Sequence, residues 1–287
     1  MASLKEIRTR ITSVKSTRQI TSAMKMVSAA KLKKAQDHIT QLRPYSEKLE
    51  QILGNIGAGL GNSGDNIFSK QREIKKVLII TVSSNRGLCG AFNSNVVKKT
   101  IEKIEKQYQG VKVDVVQIGK KAGDGLRYKG YKTTANFNTI FDNLNFEDAS
   151  KIAEDFMQKF ADGEYDAVDL VYNQFKNAAT QIVMDEPFLP IKEKKEKQKT
   201  ALDYIFEPSQ EEIINELIPK ALKTQLFKAI LDSYAAEHGA RMTAMHKATD
   251  NASELLGDLQ LTYNKARQAS ITNEILEIVG GAEALNG

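Results

Sequence analysis

Tryptophan is absent from the 287-residue chain and aromatic residues reach only 7%. A stacking platform for single-stranded nucleic acid is therefore poorly provided. The one cysteine, Cys89, excludes an internal disulfide and a multi-cysteine metal cage. Histidine is nearly as scarce, with His38, His238 and His246 alone. No stretch approaches the ~18 consecutive apolar residues of a membrane span. Met1-Ala2-Ser3-Leu4-Lys5-Glu6 opens a helical pattern rather than the apolar core of a signal peptide. These absences predict a chain kept in a reducing compartment, whose membrane contact runs only through partners. What is present is ordinary core material: 41% hydrophobic and 27% charged residues, enough for one or two domains.

Charge is unevenly spread. Residues 1–43 carry Lys5, Arg8, Arg10, Lys15, Arg18, Lys25, Lys31, Lys33, Lys34 and Arg43, opposed only by Glu6 and Asp37, whereas the whole chain has a net charge of +5. The rest is thus net acidic. A basic segment of this kind suits phosphates, an anionic membrane surface or acidic protein loops, or is simply a solvated helix face.

Apolar residues at Leu4, Ile7, Ile11 and Val14 step by three and four, a helical stripe. Following the apolar side chains, the stripe shifts phase through Ile20, Met24 and Val27, then resumes at Leu32, Ala35, Ile39, Leu42, Leu49, Leu53 and Ile56. Such a shift reads as a coiled-coil stutter, and Pro44 predicts a kink near Arg43. The N-terminal coiled-coil helix is placed at 1–57 and a linker at 58–73.

From Ile74 the period changes. Strands are expected at Val77–Val82, Val111–Val116, Ala167–Tyr172 and Thr180–Met184, with helices near Asn93–Tyr108, Lys120–Tyr128 and Glu147–Ala161. Alternating strands and helices argue a mostly parallel sheet, so residues 74–208 are assigned to a globular α/β domain. The run Lys192–Lys197 is expected as an exposed loop.

Residues 209–287 read as a second coiled-coil helix, with Pro219 in its first turn. A seam is expected at Ala248, Ala252, Leu255, Leu259, Thr262, Ala266, Ala269, Asn273 and Leu276. Small seam residues permit close approach of a second helix. Residues 219–278 would span ~90 Å, against a radius of gyration of roughly 19 Å for a compact chain of this length. The helix is thus expected to project and to need a cover. The natural one is the N-terminal helix, giving an α/β fold with a long antiparallel coiled coil of the two terminal helices.

Few motifs carry chemistry. Gly59-Leu60-Gly61-Asn62-Ser63-Gly64 spells the dinucleotide fingerprint, but a helix precedes it where a strand is required. Ser83-Ser84-Asn85-Arg86-Gly87-Leu88-Cys89-Gly90 follows a strand but lacks the spacing of a phosphate loop. Cys89 has no partner histidine suggested by sequence and reads as a buried structural thiol. Met24, Met26, Met242 and Met245 suit either adaptable contacts or core fill. A basic coiled-coil protein binding nucleic acid is the competing reading, without a motif to support it.

The two ends carry a resemblance. Ile271-Thr272-Asn273-Glu274-Ile275-Leu276-Glu277-Ile278-Val279-Gly280-Gly281-Ala282-Glu283-Ala284 is similar to the C-terminal signature I-T-x-E-x-x-E-x-x-x-G-A-x-A of the gamma subunits of F-type ATP synthases. The same family resembles this chain at Ala240–Met245, Ala248–Ala252, Tyr263–Ala269, Ile20–Val27 and Arg86–Gly90. Asn85 stands where that family usually has Asp, and the regulatory cysteine pair of the chloroplast form is missing. The start at the helix, without a transit peptide, favours a bacterial source.

The resemblance implies a central-stalk rotor with a Rossmann-like α/β domain that lacks a nucleotide site. It implies no catalytic residue, cofactor or metal on this chain. The implied partners are the alpha and beta subunits of a catalytic head, an epsilon subunit and a membrane ring of c subunits, with no nucleic acid. The implied place is the cytoplasmic side of a bacterial inner membrane. By the same resemblance, Met24, Lys25, Arg241, Arg267, Gln268, Thr272 and Glu274 meet the head or hold the two helices in register. Tyr204, Phe206 and Glu207 are implied to touch the ring or epsilon.

Overall fold

The computed structural model describes residues 3–59, 67–191 and 210–286. The Lys192–Lys197 run, residues 60–66 and the triplet Tyr204, Phe206 and Glu207 lie outside the described residues. Two compact units emerge: Ala29–Arg241, and Met1–Ser28 with Met242–Gly287. Helices α1 (Leu4–Gly59) and α5 (Gln210–Asn286) each contribute to both.

The larger unit is built on a five-stranded sheet in the order β3-β2-β1-β4-β5. The strands are β1 (Lys76–Val82), β2 (Lys112–Ile118), β3 (Ala135–Asn136), β4 (Ala167–Phe175) and β5 (Gln181–Leu189). Pairings are parallel except β4 with β5. The unbroken apolar run of β1 follows from its central place, because a strand covered on both faces need not alternate. Leu78, Ile80 and Val82 face one core, shared with helix α4 (Phe146–Ala161) and with Ile218, Leu222, Leu226, Ala229 and Ile230 of α5. Val77 and Ile79 face the other, shared with Val96 and Val97 of helix α2 (Phe92–Glu102) and Leu126 of helix α3 (Lys120–Tyr128).

Helix α4 shows why these residues fold as they do. Asn145 caps it by accepting from the Asp148 N–H at 2.8 Å, and Glu147 and Asp148 suit its positive N-terminus. Ala149, Ile152, Ala153, Phe156, Met157 and Phe160 recur at helical spacing and are all buried.

Four expectations need correction. The helix expected over Asn93–Tyr108 ends at Glu102 and continues as a π turn, Lys103–Gln107. That turn brings Lys103 into the interior, where its ammonium lies 3.0 Å from Asp169 and also meets Asp185. Tyr108 donates to the same Asp169. A helical period cannot foresee a turn that carries a lysine to the buried Asp169 and the half-buried Asp185.

The second proline lies deeper in its helix than the first turn expected for it. Pro44 lies within α1 and Pro219 within α5, which already begins at Gln210. Ser46 and Leu49 beyond the first proline and Ile218 and Leu222 around the second are buried. Packing there outweighs the ~3 kcal/mol penalty of an interior proline.

The seam of α1 is not broken by a stutter. Ile7, Val14, Thr21, Ser28, Ala35, Leu42 and Leu49 are buried or half-buried at unbroken seven-residue spacing. Leu4, Ile11, Arg18, Lys25, Leu32, Ile39 and Ser46 form the second row. Ile20, Met26 and Val27 face outwards. Tracking apolar residues misled the phase because the middle of this seam is polar.

In α5 the expected row Ala252, Leu259 and Ala266 holds, and the other row is displaced by one residue. The two rows are Met245, Ala252, Leu259, Ala266 and Thr249, Leu256, Tyr263, Ser270. Leu256 is buried whereas its expected counterpart Leu255 is exposed.

Candidate functional site

The carboxyl end of the sheet is where an open α/β fold ordinarily receives its ligand. From β1 the chain builds β2 and β3 on one side, then crosses to β4 on the other, so the switch point lies between β1 and β4. Here that crevice is filled by α5. Ala236 and Ala240 pack with Cys89 and Phe92 after β1 and with Phe175 at the end of β4. Gly239 permits the approach: a Cβ there would lie 3.2 Å from the Ala178 Cα and 3.3 Å from the Phe175 ring.

Arg241 fixes this docking. Its Nη1 donates to Glu237 Oε1 at 2.6 Å, and its Nη2 donates to the carbonyls of Arg86 at 2.9 Å and Gly87 at 3.2 Å. The pair is buried, so its desolvation is offset only because the remaining donors find carbonyls. Burial pushes the Glu237 carboxyl above its ordinary range, against the pull of Arg241. Burial and the same guanidinium hold His238 down to about 3, a neutral ring packed edge-on to Tyr234. Cys89 is buried as expected, and burial raises its thiol.

The carbonyls that receive Arg241 sit on a constrained loop. Leu88 has φ 62° although it carries a side chain, a left-handed conformation costing about 1–2 kcal/mol. Ser83 ties this loop to the next by donating to the Gly119 carbonyl at 3.0 Å and accepting from the Ala122 N–H at 2.8 Å. Gly119 has φ +106°, and a Cβ there would lie 2.2 Å from the Ser83 carbonyl oxygen. Asn85 accepts from the Lys120 N–H at 3.0 Å and donates to the Asn138 carbonyl at 2.8 Å. An Asp at that position accepts the first bond but cannot donate the second when ionised. The amide is therefore used here.

In the smaller unit, α1 and α5 pair antiparallel. Arg8 donates to the Tyr263 hydroxyl at 2.8 Å and lies over its ring. Thr21 and Thr249 bring their hydroxyls to 2.8 Å. As residue numbers rise on one helix they fall on the other. Small and polar seam residues fit such close packing. The outer surface stays bare: Leu261, Ile271, Ile275, Leu276, Ile278 and Val279 are exposed, Ile278 to 71%. Large apolar side chains gathered at one end of a helix mark a contact surface.

The sequence-expected residues divide accordingly. Arg267, Gln268, Thr272 and Glu274 are exposed within about two turns of α5. Met24 and Lys25 are half-buried, Lys25 in a seam row. Arg241 is turned inward onto the α/β loop. Sequence reasoning passed over Glu237 and His238, although Glu237 and Arg241 stand at the i, i+4 spacing of a helical ion pair. It also passed over Lys103 and Asp232, whose inward turn no spacing announces.

A long helix held by an open α/β sheet along one stretch, and paired with the N-terminal helix along another, defines a coiled-coil α/β protein whose helix pair leaves large apolar side chains exposed. Comparison with known proteins agrees. A family model described as ATP synthase matches residues 3–285. The ATP synthase gamma chain of Christiangramia forsetii is 62% identical over 287 residues, covering 100% of both chains. That of Flavobacterium johnsoniae is 64% identical over 288 residues, again covering 100% of each. The chain belongs to the ATP synthase gamma chain family. Among solved structures, a chain of the Euglena gracilis mitochondrial ATP synthase in its OSCP/F1/c-ring part shares the fold, with TM-score 0.70 and 20% identity over 98% of this chain and 94% of that one. A chain of the rotor of the same synthase gives TM-score 0.65 at 21% identity, over 93% and 98%.

Proposed function

We propose that the chain is the central-stalk rotor of an F-type ATP synthase, carrying proton-driven rotation of a membrane ring into ATP synthesis in the catalytic head. The observation that carries this reading is α5 itself: one unbroken helix, Gln210–Asn286, held by a buried ion pair at Arg241 and paired with α1 through Arg8–Tyr263 and Thr21–Thr249. Torque transmission requires such a continuous element, because each rotor angle must present different contacts to the catalytic sites. The chain contributes no catalytic group of its own.

Its partners in this reading are the alpha and beta subunits of the head, epsilon and the c ring. Arg267, Gln268, Thr272 and Glu274 offer polar contacts to the head beside bare apolar area, and Met24 and Lys25 add to them from α1. Lys25 is the electrostatic candidate, since α1 carries the basic excess of the chain and acidic loops favour a cation. Arg241 keeps α5 in register on the α/β loop. Tyr204, Phe206 and Glu207 stand as contacts to the ring and epsilon on the family resemblance alone. No helix of the described residues is long and apolar enough to cross a membrane, so attachment to the cytoplasmic face of the inner membrane runs through the ring.

Reconstitution tests this directly. The purified chain should hydrolyse no ATP, and adding it to a gamma-depleted head with the membrane sector should restore ATP-driven proton pumping. Turnover by the chain alone, or pumping that does not depend on it, overturns the reading.

A further inference from the structure

Asp232 is buried in the first third of α5, 3% exposed, and its Oδ1 has no hydrogen-bond partner. It lines a cavity of about 250 Å³ whose other walls are Ile39, Leu42 and Arg43 of α1, Gln174 of β4, and Lys228 and Leu231 of α5. An ionised carboxylate with an orphaned oxygen is costly in such a place, whereas the protonated acid is tolerated. The cavity offers space in which water could reach that charge.

We propose that Asp232 and this cavity form a pH-responsive latch between α1 and α5: with the carboxyl protonated the α1 turn Ile39–Arg43 stays seated, and with the carboxylate ionised that turn loosens and admits water. Burial sets the direction, against the nearer cations. Burial lifts the Asp232 carboxyl to about 6, opposed by Lys228 on its own helix and Arg43 on α1, and assisted by Glu186 on β5. Gln174, the lining residue from β4, carries no charge. Because the seated state binds the proton more tightly than the open state, seating is strongest at low pH and weakens as pH rises between about 4 and 6. Above that window the loss is complete. His238 titrates with the opposite sign, its stabilising neutral form being lost as pH falls. Global stability therefore mixes the two, and the latch must be read locally at α1.

The test is amide hydrogen exchange of the full chain over residues 39–46, corrected for the intrinsic pH dependence of exchange. Protection should fall about tenfold between about pH 5 and about pH 7.5. Asp232→Asn should hold the high protection at both. Charge-removing variants locate the titrating group: Arg43→Gln should move the midpoint up and Glu186→Gln should move it down. A flat wild-type profile, a pH dependence that survives in Asp232→Asn, or a midpoint indifferent to both charge variants overturns the latch. If Asp232→Asn does not fold, the wild-type profile and the two charge variants still decide. A link between pH and the compliance of the stalk rests on the rotor reading; exchange in the free chain does not, so the two fail separately.

Discussion

The Ala29–Arg241 body and the pair formed by Met1–Ser28 with Met242–Gly287 are built on opposite terms. In the body, β1 is covered on both faces and even charged groups are interior: Lys103 with Asp169 and Asp185, Arg241 with Glu237. In the pair, only Ile7, Thr21, Ser28, Met245, Ala252 and Leu256 are buried among the described residues, and Ile278 and Leu276 face outwards. Charged groups are thus kept inside the body, whereas the end of the pair leaves large apolar groups outside. Stability and contact surface have been separated along the same two helices.

The largest expected effect tests that separation. Phe156→Ala, in the core between β1 and α4, should destabilise the chain by about 3–5 kcal/mol through lost burial and the cavity left behind. Leu276→Ala, 64% exposed, should change free-chain stability by less than about 0.5 kcal/mol. Chemical denaturation of both variants checks the contrast, and equal losses would mean that the end of α5 is already covered in the free chain.

Next in size is Arg241→Ala. It removes the guanidinium from Glu237 and from the carbonyls of Arg86 and Gly87, leaving a buried acid without its ion-pair partner. Breaking a buried pair costs about 3–5 kcal/mol, reduced here to the extent that Glu237 takes up a proton. Denaturation midpoints should drop, and the loss should shrink at low pH, where Glu237 is neutral in either state. Arg241→Lys should recover little, since one ammonium cannot span a carboxylate and two carbonyls.

Some of this was legible in the sequence and some was not, for physical reasons. The run Val77–Val82 reads as a strand and Glu147–Ala161 as a helix in the sequence alone, because burial writes itself into the spacing of apolar residues. The polar rows of the coiled coil did not. Thr21 and Ser28 hold seam positions through hydroxyl contacts and small size, so following apolar residues led to the exposed Ile20 and Val27. Lys103 reads as one of many lysines until the π turn rotates it inward. At the candidate site, the family resemblance singled out Arg241, but its partners became visible only once the Arg86–Gly87 loop was placed against α5. Asn85, which stands where the family usually has Asp, donates to the Asn138 carbonyl a bond that an ionised Asp cannot.

The smallest expected change in the free chain belongs to the double variant Arg267→Ala, Gln268→Ala. Both side chains are exposed, and no described hydrogen bond or ion pair depends on them; the bond from the Thr272 hydroxyl goes to the Gln268 backbone carbonyl at 2.9 Å, which alanine retains. Alanine also favours helix slightly over both residues. Free-chain stability should therefore move by no more than about 0.5 kcal/mol in either direction. In the assembled enzyme the same two side chains are proposed to meet the head, and a contact that differs between rotor angles alters the rate of passage between them. ATPase turnover of the reconstituted complex should fall while assembly, followed by co-purification of the chain with the head, is unchanged. A wild-type rate in the intact complex would remove these residues from the torque path. A large stability loss in the free chain would instead show that the bare stretch of α5 carries structure of its own, and the division between body and pair would have to be redrawn.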